Sequence, residues 1–196
     1  MHGYSLSGFR LPLQDRDLLQ RLNVYFDSLD ARLLNGEGWV IFNAHAPRST
    51  RIIQYLQRRL SEPHRATHFF VPWRDFSLTS YMVEVELQSS NTDVAALPPE
   101  RKRELEIASK VSQQTMVRMV TDDLLIVPGV APRHGHEVRY LAATIEARYR
   151  SRLATIMLTP DPPHQLERNV SQLGEHGTVT WEQLSQRLFE TSLIAL

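Results

Sequence analysis

The stretch "GWVIFNAHAPRSTRIIQYLQRRL", residues 38–60, decides how this chain is read. Trp39 to Phe42 form a continuous apolar run. Such a run suits a strand buried on both faces, as in a parallel sheet. Asn43 to Thr50 read "NAHAPRST", a short polar loop. A helix is expected from about Ser49, with Ile52, Ile53, Tyr55, Leu56 and Leu60 on its apolar side and Pro63 beyond its end. Strand, polar loop and helix in this order have the local shape of a phosphate-binding loop. The glycines and the lysine that hold a phosphate are absent, so shape and chemistry disagree.

Working outward, "DRDLLQRLNVYFDSLDARLL" places Leu18, Leu19, Leu22, Tyr25, Phe26, Leu29, Leu33 and Leu34 at helical spacing. Asp15 is its expected N-cap, and Asn35-Gly36 its end. "THFFVPW" (67–73), "DLLIVPGV" from Asp123 and "LATIMLTP" from Leu153 are further strands. Helices are expected from Glu100 to Met119, from His136 and from Thr180, where Gln183 would complete a capping box. "SLIAL" suits a last short strand, and Ser89 to Glu100 an internal loop. Strands alternating with helices predict an α/β fold, a three-layer parallel sheet with helices on both faces. Ligands of such sheets bind beyond the C-terminal strand ends, which singles out residues 43–50, 128–135 and 159–164.

The chain has 196 residues, a length that suits one domain with a sizeable core. Lys+Arg and Asp+Glu both total 22, so bulk charge makes no case for nucleic-acid binding. The chain has no cysteine, which excludes disulfides, thiol nucleophiles and thiolate metal sites and fits a reducing compartment. No apolar run resembles a signal peptide or a membrane span, so a cytoplasmic location is expected. Only Lys102 and Lys110 among the 22 basic residues are lysine. Arginine forks suit phosphate, but base composition of the genome explains the bias equally well.

The order of these segments resembles the ATPase domain of the DnaC/IstB family, helicase loaders and transposition helpers of the AAA+ class. The resemblance runs from about Asp15 to Leu196, with residues 1–14 as an N-terminal extension. "DLLIV" resembles the Walker B strand. "LAATIEARYRSRLATIMLTP" resembles the family's helix, link and sensor strand, and "WEQLSQRL" resembles its closing helix. The resemblance implies a single domain with a P-loop NTPase (RecA/AAA+-like) core and no lid.

The family's catalytic residues carry over poorly. Walker A reads G-x-x-x-x-G-K-[ST], in which glycines let backbone N–H groups wrap a phosphate and the lysine reaches the β/γ-phosphates. Aligned on Thr50, the pattern meets Asn43, Arg48, Ser49 and Thr50, and only Thr50 matches. The Asp-Glu that ends Walker B meets Pro128 and Gly129. The sensor tip meets Thr159, which matches, and Asp161, whose charge opposes a γ-phosphate. Arg187 matches the family's trans-acting arginine finger. Phosphoryl transfer needs a positioned cation, a metal ligand and a residue that orients water. Loss of all three predicts a non-enzymatic pseudo-ATPase with no cofactor and no metal. Its expected partner is an active AAA+ ATPase or a replicative helicase, with assembly into oligomers implied by the family.

Two alternatives stay open. One is an enzyme with an altered phosphate site built on Arg48, Ser49 and His134 or His136. The other is a DNA-binding accessory factor whose candidate contacts are Arg148, Arg150 and Arg152. Arg58, Arg59 and Arg65 form a second basic cluster, and all these arginines equally suit solvated helix ends. His64 and His68 have metal-ligand spacing only if a helix continues past Pro63, which a following strand opposes. Trp39, Trp73 and Trp181 are expected in or near the core, with Trp73 also a candidate for a partner surface.

Overall fold

The computed structural model describes residues 13–63, 65–89, 98–174 and 178–196. His64, most of the extension and most of the internal loop lie outside the described residues.

Five strands form one sheet in the order β2-β3-β4-β1-β5. They are β1 (Gly38–Ile41), β2 (His68–Phe70), β3 (Leu124–Val127), β4 (Ala154–Leu158) and β5 (Ser192–Ala195), and all pair in parallel. The three continuous apolar runs became β1, β3 and β4, and every residue in them is buried. β2 is the edge strand next to β3, and His68 is exposed.

Alternate side chains of each strand feed two cores. Trp39, Ile41, Leu124, Ile126, Ile156 and Leu158 pack on one side with α1 (Leu13–Asp27), α2 (Leu29–Leu34) and α3 (Arg48–Leu60). Val40, Phe42, Leu125, Val127 and Met157 pack on the other with α4 (Trp73–Ser89), α5 (Pro99–Thr121), α6 (Gly135–Arg150), α7 (Pro163–Leu173) and α8 (Thr178–Thr191). The expected parallel sheet with helices on both faces is therefore present. β1 and β4 run close together at Gly38. A Cβ there would lie 1.9 Å from the Thr155 carbonyl oxygen, so the position requires glycine.

Local structure departs from the sequence reading in four places. Residues 15–34, expected as one helix, form α1 and α2, because Ser28 breaks the run and its hydroxyl donates back to the Val24 carbonyl at 3.1 Å. Asp15 is no N-cap but lies inside α1. Thr180 is likewise inside α8, which begins at Thr178, and the N-terminal carboxylate cap occurs instead on α6. There Glu137 accepts the Arg133 and His134 N–H groups at 2.5 and 2.9 Å. Finally, α4 and α7 were not anticipated. Thr79 and Ser80 occupy buried positions of α4 where leucines would have signalled a helix. α7 follows Pro162-Pro163 and buries only Leu166 and Val170.

Candidate functional site

β3, β4 and β1 are neighbours in the sheet, so the loops that leave their C-terminal ends come together. Hydrogen bonds join two of them directly. Asn43 N–H donates to the Asp161 carbonyl at 3.3 Å, and Ala44 N–H to the Thr159 carbonyl at 2.8 Å. Val130 N–H, after β3, donates to the Leu158 carbonyl at 2.8 Å. The three loops singled out in the sequence thus lie together at one end of the sheet.

The β1–α3 loop keeps one backbone feature of a phosphate loop. Asn43 has φ of 54°, the left-handed region that glycine favours and asparagine tolerates. Its interior is filled by Arg48. Nη1 of that guanidinium donates to the carbonyls of Phe42 at 3.0 Å and Asn43 at 3.3 Å. Nη2 donates to the backbone oxygen of Leu196 at 3.0 Å. Nε lies 3.0 Å from Asp15 Oδ1, and Oδ2 of the same carboxylate accepts from Arg51. A phosphate loop turns amide N–H groups toward an anion. Here carbonyls of the loop turn toward an internal cation, and two of the loop's amides are spent on the β4 loop. Thr50, the one matching hydroxyl residue, is exposed on α3, and Ser49 donates its N–H to the His45 carbonyl at 2.8 Å.

At the end of β3, the Pro128 carbonyl accepts the Trp73 N–H at 2.9 Å. Gly129 has φ of +79°, a conformation that would strain an acidic residue there. The Trp73 indole donates to the Ala131 carbonyl at 3.1 Å, so this tryptophan, with Phe76 stacked on it, fixes the turn and is buried. At the end of β4, Thr159 is fully buried and its hydroxyl accepts the Asp161 N–H at 3.1 Å. The Asp161 carboxylate accepts from the Asn169 side chain of α7 at 2.9 Å.

The remaining candidates lie elsewhere. Arg187 on α8 meets the Glu146 carboxylate of α6 at 3.0 Å and lies over the Tyr149 ring at 4.3 Å. Its hydrogen bond to Glu146 raises the guanidinium's pKa, and Arg187 with Arg150 lowers that of Glu146. His134 and His136 stack with ring centroids 5.4 Å apart. No group of three or more metal-ligating side chains occurs among the described residues.

Arg148 corrects the DNA-contact cluster. It is 1% exposed and donates to the carbonyls of Met119, Asp122, Asp123 and Ala154 and to the Thr155 hydroxyl. Burial pushes its pKa down to about 10, against the pull of Asp122 and Asp123. It is an internal tie between α5, α6 and the N-terminal ends of β3 and β4. Arg150 and Arg152 remain exposed. Asp15 is the member of the Arg48–Arg51 cluster whose place the sequence reading missed. Its acidic place in the first turn of a helix was legible, but its partners on α3 were not.

No protein-family model and no curated protein sequence matches the chain. Solved structures do. The DnaC helicase loader superposes with a TM-score of 0.62 at 10% identity, covering 97% of this chain and 93% of that one. A DNA replication initiation factor superposes with a TM-score of 0.57 at 10% identity, covering 98% of this chain but 49% of that one, so this chain spans about half its length. At such identity the likeness is one of fold, and by fold this chain resembles the DnaC helicase loader over nearly its whole length.

Proposed function

We propose that the chain is a catalytically inactive AAA+-like subunit that binds and regulates an active AAA+ ATPase or a replicative helicase in DNA replication or transposition. The observation that carries the reading is the Arg48 guanidinium inside the β1–α3 loop, bonded to the loop's own carbonyls and paired with Asp15. A phosphate placed there would have to displace an ion pair whose members are 14% and 7% exposed. Pro128 and Gly129 offer no oxygen ligand from a side chain for Mg²⁺ and no carboxylate to orient water. The fold likeness to a helicase loader favours a replication protein as partner. On this reading the chain acts in the cytoplasm beside such partners. None of its described helices is long and apolar enough to cross a membrane.

Calorimetry with ATP and ADP, with and without Mg²⁺, tests the first half, and no binding and no phosphate release are expected. Tight Mg²⁺-dependent binding by the wild type would refute it. For the second half, the chain is added to the host's replicative helicase and to its loader ATPases. A change in ATPase rate that Arg187→Ala abolishes is expected, since Arg187 stands at the α6–α8 surface and matches the family's trans-acting finger. An unchanged rate with every such partner would leave the regulatory role without support.

A further inference from the structure

Asp15 sits on α1, whereas Arg48 and Arg51 sit in the first turn of α3. Its side chain is 7% exposed, and each of its oxygens meets a different guanidinium. Among the described residues no other Asp or Glu side chain pairs with either arginine. Two planar forks converging on one small anion is the arrangement that also receives phosphate oxygens. The rest of Arg48 is held from other directions by the carbonyls of Phe42, Asn43 and Leu196, so its position does not depend on Asp15 alone.

We propose that Asp15 is a built-in anion that keeps the Arg48–Arg51 pair closed, and that loss of its carboxylate converts the pair into a receptor for a pyrophosphate-type oxyanion. This rests on the reading that the loop binds no nucleotide as it stands. The reasoning is one of charge. Arginine cannot shed its proton at neutral pH, so a largely buried Arg48 without Asp15 must take another anion or remain an unpaired buried cation. The phosphate site is then inhibited in cis rather than erased, and α1 is the element that inhibits it.

Asp15→Asn keeps the side-chain shape and removes the charge. Thermal unfolding is followed with and without sodium pyrophosphate, without Mg²⁺, at an ionic strength held constant with chloride. The wild-type Tm is expected not to move. Asp15→Asn is expected to melt lower in chloride and to rise by about 3–6 °C with pyrophosphate at ten times its Kd. Adding Arg51→Ala to Asp15→Asn should abolish that rise. If Asp15→Asn does not fold in chloride, pyrophosphate should restore its helical circular dichroism, and failure to do so overturns the proposal. An Asp15→Asn variant as silent as the wild type overturns it as well, as does a double variant that keeps the full rise. Nucleotide binding by the wild type would sink both readings, whereas a silent wild type with a silent Asp15→Asn sinks this one alone.

Discussion

Replacing Arg148 with methionine is the sharpest test of how the sheet is anchored. Methionine keeps most of the unbranched stem and removes five hydrogen bonds. The acceptors are not equivalent. The bonds to the Met119 and Ala154 carbonyls and to the Thr155 hydroxyl are buried, whereas those to the Asp122 and Asp123 carbonyls are partly buried. Water can replace the guanidinium at the latter two, and the Thr155 hydroxyl can turn to another acceptor. The buried Met119 and Ala154 carbonyls each lose a donor that water cannot replace, at about 1–3 kcal/mol each. The variant also gains something, because burial already disfavours this cation enough to push its pKa down to about 10. An apolar side chain avoids that desolvation cost, which offsets part of the loss. The expected net destabilisation is about 3 kcal/mol, or about 6–12 °C in Tm for a domain of this size. Urea unfolding followed by circular dichroism and tryptophan fluorescence reads it. A loss below about 1 kcal/mol would refute the claim that this guanidinium satisfies the carbonyls at the base of β3 and β4. Arg148→Lys, with three donors instead of five, should fall in between. The same measurement separates packing from DNA contact. Any loss of DNA retention in an Arg148 variant should track its unfolding, whereas an Arg150/Arg152 double variant probes the surface itself.

Glu137, 3% exposed, loses by burial but gains more from the Arg133 and His134 N–H groups and the Ser77 hydroxyl, so its pKa lies below the ordinary carboxylate value. Its contribution is therefore present above the unfolded pKa of about 4.3 and is lost as pH falls through the lower folded value. Glu137→Gln should lose about 1–3 kcal/mol at pH 7 and flatten the fall of Tm below about pH 4.5, measured by thermal melts across pH. Gly38→Ala places a methyl group 1.9 Å from the Thr155 carbonyl oxygen. It should force β1 and β4 apart and cost about 3 kcal/mol or more, read by urea unfolding, and a Tm within about 2 °C of wild type would contradict that close approach.

How much of this was legible in the sequence depends on where the signal resides. β1, β3 and β4 were readable because a strand buried on both faces leaves no alternation, only a short apolar run. α4 was not readable, because its buried positions include Thr79 and Ser80 and because Pro72 looks like punctuation, although it starts the helix. The departures from the family's motifs at residues 43–50, 128–129 and 161 were legible as residue identities. The Arg48–Asp15 pair was not, because the two residues lie in different elements and no spacing rule connects them. Arg148 was legible in principle. Val138, Leu141, Ile145 and Arg148 recur at helical spacing, which puts the arginine on the buried stripe of α6 and away from its charged neighbours in "RYRSR".

On the proposed reading, what holds the fold together without nucleotide chemistry follows from what the loops contact. The carbonyls of Phe42 and Asn43 and the backbone oxygen of Leu196 need donors at the end of β1 and beyond β5, and Arg48 supplies them. That guanidinium brings a positive charge, which Asp15 neutralises from α1. The exchange links α1, the β1–α3 loop and the chain beyond β5, three segments that a glycine-rich loop would leave unconnected. The amides of Asn43 and Ala44 meanwhile hold the β4 loop, and Pro128-Gly129 closes the β3 end through Trp73. On that reading, Arg48, Ser49 and Pro128, which stand at the family's catalytic positions, are engaged in internal contacts. On the proposed reading this set of contacts is a rigid, occupied sheet end, so recognition of a partner must fall to other surfaces. The α6–α8 face that carries Arg187, Glu146 and Tyr149 remains for that purpose.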